Sequence, residues 1–246
     1  AVPRKTLIDN LEEAVVEEKK IEEMDVVFLM DRFGYAKTVD VSVYERNKEA
    51  ADTENRYILT CKNTDKICIF TNKGQMHLLK VLDLPYGKFR DKGIPIDNLS
   101  NYNSSEENFI YIINLGAIIH SRLLFRTKTA MLKMVDGSEF DVAKRTTAST
   151  KLNEDDELLI VHAMTGEETV VMQSEKEMFL RIEASTIPEK KKGAVGVRGM
   201  KLNAGDALSN IYVLDGENEQ TVEVKGKEVV LNRLRVGNRD TKGTKR

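Results

Sequence analysis

The chain has no tryptophan, four prolines, and two cysteines, Cys61 and Cys68, in 246 residues. Two thiols cannot form a disulfide framework, and they read instead as small hydrophobes on neighbouring β-runs. No apolar run approaches the 18 residues a membrane span requires. An excess of one charge is also missing: 38 Lys+Arg face 40 Asp+Glu, for a net −2. That balance removes the simplest argument for a polyanionic partner, which is a globally basic protein. The three histidines, His77, His120 and His162, lie at no ligand spacing to one another or to a cysteine, so no zinc site is expected. No glycine loop of the nucleotide-binding type is present. Adjacent Asp155 and Asp156 suit a hairpin turn better than an acid–base pair, because neighbouring strand residues point to opposite faces. The opening residues, Ala1-Val2-Pro3-Arg4-Lys5, contain neither a start methionine nor a signal-type apolar stretch. The expectation is a piece of a longer intracellular chain.

What the chain does contain is 41% hydrophobic residues, enough for a core at this length. They fall in short runs such as Val26-Val27-Phe28-Leu29-Met30, Ile67-Cys68-Ile69-Phe70, Phe109-Ile110-Tyr111-Ile112-Ile113, Leu158-Leu159-Ile160-Val161 and Ile211-Tyr212-Val213-Leu214. Each is bounded by Asp, Asn, Gly or Glu, the pattern of strands buried on both faces of an all-β domain. A loosely helical stretch from Leu7 to Met24 is the exception. Charge is segregated along the chain. Positions 9–25 hold eight acids and two bases, positions 225–246 eight bases and two acids, and positions 189–201 five bases and one acid. Such runs serve either as solvated segments or as surfaces for phosphate.

A repeat runs through the chain. Its unit is an apolar strand, a polar turn, a second strand containing Lys or Arg, a basic loop and a third strand. The aligned turns are Asp31-Arg32-Phe33-Gly34, Thr71-Asn72-Lys73-Gly74, Arg126-Thr127-Lys128-Thr129 and Ser174-Glu175-Lys176-Glu177, with a fainter fifth at Val224-Lys225-Gly226-Lys227. The last residues of the four clear turns, 34, 74, 129 and 177, are spaced by 40, 55 and 48. Units of this size are propeller-like blades, each too small to bury its own faces. Five of them, at about 48 residues each, would occupy the whole chain.

Several stretches resemble a known family. Phe70-Thr71-Asn72-Lys73-Gly74 followed by Gly93-Ile94-Pro95-Ile96, and Gly196-Val197-Arg198-Gly199-Met200-Lys201-Leu202 followed by Gly205-Asp206, are similar to the C-terminal domain of the A subunit of bacterial type IIA topoisomerases, DNA gyrase and topoisomerase IV. Gly34-Tyr35-Ala36-Lys37-Thr38 and Lys151-Leu152-Asn153-Glu154-Asp155-Asp156-Glu157-Leu158 extend the match, which runs from about residue 25 to residue 214.

The resemblance implies an all-β fold, a β-pinwheel or propeller-like disc of about five blades, over residues 25–246, preceded by an acidic lead-in at 1–24. It implies a non-catalytic domain that binds and bends double-stranded DNA along a basic rim, directing DNA-segment capture in decatenation or supercoil relaxation. No cofactor belongs to this domain; ATP and Mg2+ act elsewhere in the holoenzyme. The implied partners are the rest of the A subunit and the ATPase B subunit, in the bacterial cytoplasm at the nucleoid, with no membrane. Gyrase carries a Gln-Arg-Arg-Gly-Gly-Lys-Gly box in the loop of its first blade. The corresponding stretch here, Glu45-Arg46-Asn47-Lys48-Glu49-Ala50-Ala51, lacks glycine, and positions 45–56 hold four acids and three bases. A loop without glycine does not bring its backbone close to phosphate. The departure favours topoisomerase IV, or a gyrase-like paralogue with a degenerate box.

Curved duplex presents a curved line of phosphates, and cations at one point of each repeat can follow it. The candidates are Lys88, Arg90 and Lys92 in the second unit, and Arg126, Lys128, Lys144 and Arg145 in the third. The fourth unit offers Lys190, Lys191, Lys192 and Arg198, and the fifth Arg233, Arg235 and Arg239. The competing reading is a propeller-type protein-interaction module with incidental basic loops.

Overall fold

The structure is a computed structural model and describes residues 20–246. Most of the helical stretch expected from Leu7 to Met24, and most of the acidic lead-in, lie outside the described residues; positions 20–24 are irregular. Strand β1 starts at Asp25.

Each unit begins with an antiparallel hairpin: β1 (Asp25–Met30) with β2 (Tyr35–Asp40), β4 (Lys66–Thr71) with β5 (Gln75–Lys80), β8 (Arg122–Thr127) with β9 (Met131–Asp136), β12 (Thr169–Ser174) with β13 (Met178–Glu183), and β16 (Thr221–Val224) with β17 (Lys227–Val230). One residue with positive φ at the end of each turn, Gly34, Gly74, Ala130, Glu177 and Gly226, marks the repeat; the last turn has a second, Lys225. The third turn therefore ends one residue later than the sequence pattern suggests, at Ala130 instead of Thr129. Ala130 accepts the left-handed conformation, so no glycine marks the spot.

A long strand pairs with the first strand of the hairpin in four units: β3 (Tyr57–Lys62), β7 (Phe109–Asn114), β11 (Leu158–Met164) and β15 (Leu208–Leu214). The fourth strand of each sheet comes from the next unit. The segments β6 (Ile94–Pro95), β10 (Thr146–Ala148), β14 (Val197–Arg198) and β18 (Thr244–Lys245) pair with β2, β5, β9 and β13 of the preceding hairpin. The result is four four-stranded sheets and one two-stranded sheet, β16–β17. The expected five units are thus four complete blades and a hairpin.

Consecutive blades stack face to face. On β1, Val26, Phe28 and Met30 pack against Ile67, Ile69 and Leu79 of the second blade. Cys68 and Phe70 of the second pack against Leu123, Phe125 and Val135 of the third. Leu124, Leu132 and Met134 of the third meet Val170, Met172 and Leu180 of the fourth, while Val171 and Phe179 meet Val224 and Leu231 of the fifth unit. Alternating strand residues therefore enter two different cores, which explains apolar runs without a polar face. Burial pushes the Cys61 thiol up to about 12 and raises that of Cys68 as well, so both behave as core hydrophobes.

The first blade turns its other face, Val27, Leu29 and Val39, to Ala51, Val43 and Tyr44. These belong to α1 (Val41–Arg46) and α2 (Lys48–Glu54). The stretch corresponding to the gyrase box, expected to be a loop, is therefore helical. Without glycine or proline, and with Ala50 and Ala51 in its second half, it has no local reason to remain open.

Candidate nucleic-acid interface

Strand β3 lies against β7, and β7 against β11, so these third-strand edges adjoin one another. The exchanged strands form the opposite edges. Each is reached by a loop that runs along the second hairpin strand of the preceding blade. Parallel bridges join Thr38 to Tyr86, Met134 to Glu189 and Arg181 to Val236, and the Leu78 amide donates to the Arg145 carbonyl at 2.8 Å in the remaining blade. The four loops are structurally equivalent and lead to the sheet edges opposite the third strands.

These loops carry twelve of the fourteen candidate cations. The first holds Lys88, Arg90 and Lys92, all exposed, and the second Lys144 and Arg145, also exposed. The third has an exposed Lys191 between half-buried Lys190 and Lys192, with Arg198 on β14. The fourth has exposed Arg233 and Arg235 and a half-buried Arg239. By chain order each loop belongs to the unit named from the sequence; in space it rests on the blade before.

Several of these side chains already have partners. Arg198 pairs with Asp240, whose carboxyl it holds below the usual carboxylate range. Arg233 lies 3.7 Å from Glu219, and Arg239 donates to the Arg198 carbonyl at 2.9 Å. The Lys192 ammonium donates to the Glu139 carbonyl at 3.2 Å. Among the described residues, Lys88, Arg90, Lys92, Lys128, Lys144, Arg145, Lys190, Lys191 and Arg235 make no ion pair. Lys128 is exposed on the β8–β9 hairpin turn and is not part of an exchange loop.

Arg126 does not belong to this set. The one-residue shift of its turn places it inside β8, only 3% exposed, with a guanidinium nitrogen donating to the Leu208 carbonyl at 3.3 Å. Its charge is enclosed between two blades and out of reach of any external phosphate.

One cation missed by the sequence reading joins the fourth loop. Lys242 is exposed and precedes Gly243 as Lys92 precedes Gly93. The signal was the shared Arg-Asp pair, Arg90-Asp91 and Arg239-Asp240, upstream of each Lys-Gly.

The acidic pair resolves as turn chemistry. Asp155 has φ 60°, and the Asp156 carboxylate accepts from the Thr129 amide at 3.0 Å and hydroxyl at 2.7 Å. Among the described residues, no cluster of three or more potential metal ligands occurs and no helix is long and apolar enough to cross a membrane.

Face-stacked sheets that exchange edge strands define a propeller-like β-pinwheel, here with a cationic loop at each exchange. The family described as DNA gyrase C-terminal domain, beta-propeller, matches residues 122–163 and 168–215. The DNA gyrase A subunit of Staphylococcus epidermidis is 29% identical over 95% of this chain, and that of Lawsonia intracellularis 28% over 92%. The chain spans 28% and 30% of those two relatives. Among solved structures, the C-terminal domain of DNA topoisomerase IV aligns over 92% of this chain and 73% of its own, with TM-score 0.78 and 22% identity. The E. coli ParC C-terminal domain aligns over 90% and 94%, with TM-score 0.74 and 14% identity. The DNA gyrase A C-terminal domain covers 90% and 76%, with TM-score 0.59 and 17% identity. The chain is similar to DNA gyrase A subunits in sequence and shares the fold of the C-terminal domains of type IIA topoisomerase A subunits.

Proposed function

We propose that this domain binds double-stranded DNA along its perimeter and bends it, as a non-catalytic part of a type II topoisomerase. The observation that carries this reading is the recurrence of a cationic loop at one equivalent place in each of four blades. Contacts of this kind hold phosphate without reading sequence. Bending a site of 20–30 base pairs costs roughly 1–6 kcal/mol, which the added phosphate contacts offset. In this reading the domain supplies no reacting group. ATP and Mg2+ act in other parts of an isomerase assembled from this A subunit and an ATPase B subunit, in the bacterial cytoplasm at the nucleoid.

Within the family we favour duplex capture for decatenation or relaxation, as in topoisomerase IV. The helical α1–α2 segment, with its four acids and three bases over positions 45–56, supports this. The sequence relatives, which are A subunits of DNA gyrase, favour a second reading, wrapping for negative supercoiling. Joining the domain to a catalytic core and comparing supercoiling with decatenation separates the two.

DNA binding itself is tested by titrating duplexes of increasing length. Six to ten neutralised phosphates would reduce affinity by about 10³–10⁵ between 50 and 200 mM salt. Salt-insensitive or length-independent binding would favour the protein-interaction alternative.

A further inference from the structure

The second hairpin strand of three blades carries a nitrogen-bearing side chain at one register position: Lys37 opposite Leu29, His77 opposite Ile69 and Lys133 opposite Phe125. Lys133 is 1% exposed, yet it forms no ion pair among the described residues. Its ammonium donates to the carbonyls of Lys191 at 3.0 Å, Lys192 at 3.2 Å and Ala194 at 2.9 Å, and lies 5.3 Å from the centre of the Phe125 ring. Lys37, half-buried on the first blade, makes a similar set of contacts. It donates to the Phe89 carbonyl and, at 2.9 Å, to that of Asp91, and sits 5.0 Å from the Phe89 ring centre. The fourth blade uses Arg181, one residue further along its strand, which donates to the Asn232 carbonyl at 2.7 Å and the Leu234 carbonyl at 3.1 Å. His77 differs: it contacts the Thr146 hydroxyl at 2.8 Å and Glu107 at 2.9 Å, with no loop carbonyl.

We propose that Lys37 and Lys133 are positioning residues for DNA binding, each drawing the carbonyl oxygens of one exchange loop inward so that the loop offers its cations outward. This inference rests on the function proposed above. The physical argument is that a buried ammonium such as that of Lys133 must be satisfied by acceptors, and the half-buried Lys37 makes the same kind of carbonyl contacts. Here the acceptors are the backbone of the very segments bearing Lys88, Arg90 and Lys92, and Lys190, Lys191 and Lys192. Fixing those carbonyls sets the backbone from which the external lysines project. It also withdraws the negative ends of the peptide dipoles from the surface a phosphate approaches. Burial disfavours the charged form and brings the Lys133 pKa down to about 8, so the ammonium depends on its three carbonyl acceptors.

The test uses the 246-residue chain with Lys133→Met, which keeps the apolar stem and removes the donors. Lys133 cannot touch phosphate itself, so a direct contact is not being deleted. The salt slope for a 30-base-pair duplex should fall by about one for each phosphate contact the loop loses, up to three. In a background with Lys190, Lys191 and Lys192 all changed to Gln, adding Lys133→Met should change the slope no further, because both act through one loop. Trypsin should cut after Lys190–Lys192 faster in the single variant than in the unaltered chain. An unchanged slope with binding intact, or an equal slope loss in the Gln background, overturns the positioning role. Equal trypsin rates overturn the anchoring on which it depends. If the unaltered chain fails to bind duplex at 50 mM salt, the proposed function fails, and the trypsin comparison still judges the anchor. Should Lys133→Met not fold, Lys37→Met is read by trypsin cutting after Lys88, Arg90 and Lys92 and by its lack of further effect once those three are changed to Gln; unchanged cutting, or an equal slope loss in that background, overturns the role.

Discussion

At the scale of single residues, burial decides which charges can act. Arg126 and Lys133 lie on paired strands of the same blade and both are enclosed, but their surroundings differ. Arg126 has one carbonyl partner and a second nitrogen, Nε, without any. A buried cation so incompletely paired contributes little to stability. Arg126→Met is therefore expected to leave the melting temperature unchanged or raised and the salt slope of duplex binding intact. Calorimetry and a binding titration check the two halves. Lys133 has three carbonyls and leaves a pH signature. Its pKa is about 8 in the fold against 10.5 for the unburied amine. Between those values the unfolded chain holds the extra proton, so stability rises with pH across that window. Glu139 is the charged group that acts on it, favouring the protonated form. Denaturant melts at pH 7 and pH 10 should show the unaltered chain gaining stability relative to Lys133→Met. A constant difference would contradict a depressed pKa.

At the scale of elements, the hairpins were legible because an apolar run followed by a polar turn is a local pattern. The exchange strands were not. Two- or three-residue segments such as Ile94–Pro95 and Val197–Arg198 carry no periodicity, and what fixes them is a close approach between backbones. A Cβ on Gly196 would lie 2.7 Å from the Leu132 carbonyl oxygen, and one on Gly93 would lie 2.8 Å from that of Ala36. Gly196→Ala should push β14 off β9 and cost about 1–3 kcal/mol. That corresponds to a fall of roughly 2–12 °C in melting temperature for a domain of this size. An unchanged melting temperature would mean that β14 does not need this contact. The α1–α2 segment was misread for a related reason. Comparison with a glycine-bearing box predicts a loop, but the residues actually present are helix formers facing an uncovered apolar sheet.

At the scale of the whole molecule, the near-zero net charge conceals an ordered distribution. Cations cluster on the exchange loops, and that clustering was visible in the sequence as basic stretches after each second strand. Two features of the site were hidden. The sequence could not show that each loop rests on the preceding blade, because strand exchange is a tertiary event. Nor could it tell an enclosed arginine from an exposed one, when a one-residue difference in a turn decides between them. The central claim is that duplex follows these four loops. Acetylation of lysines with and without a saturating 30-base-pair duplex at low salt, mapped by mass spectrometry, tests it most directly. Lys88, Lys92, Lys144, Lys191 and Lys242 should be protected, while Lys62, which pairs with Asp25 away from the loops, should react equally in both. Protection confined to other lysines, or absent from the loops under conditions where the duplex is bound, would contradict the account.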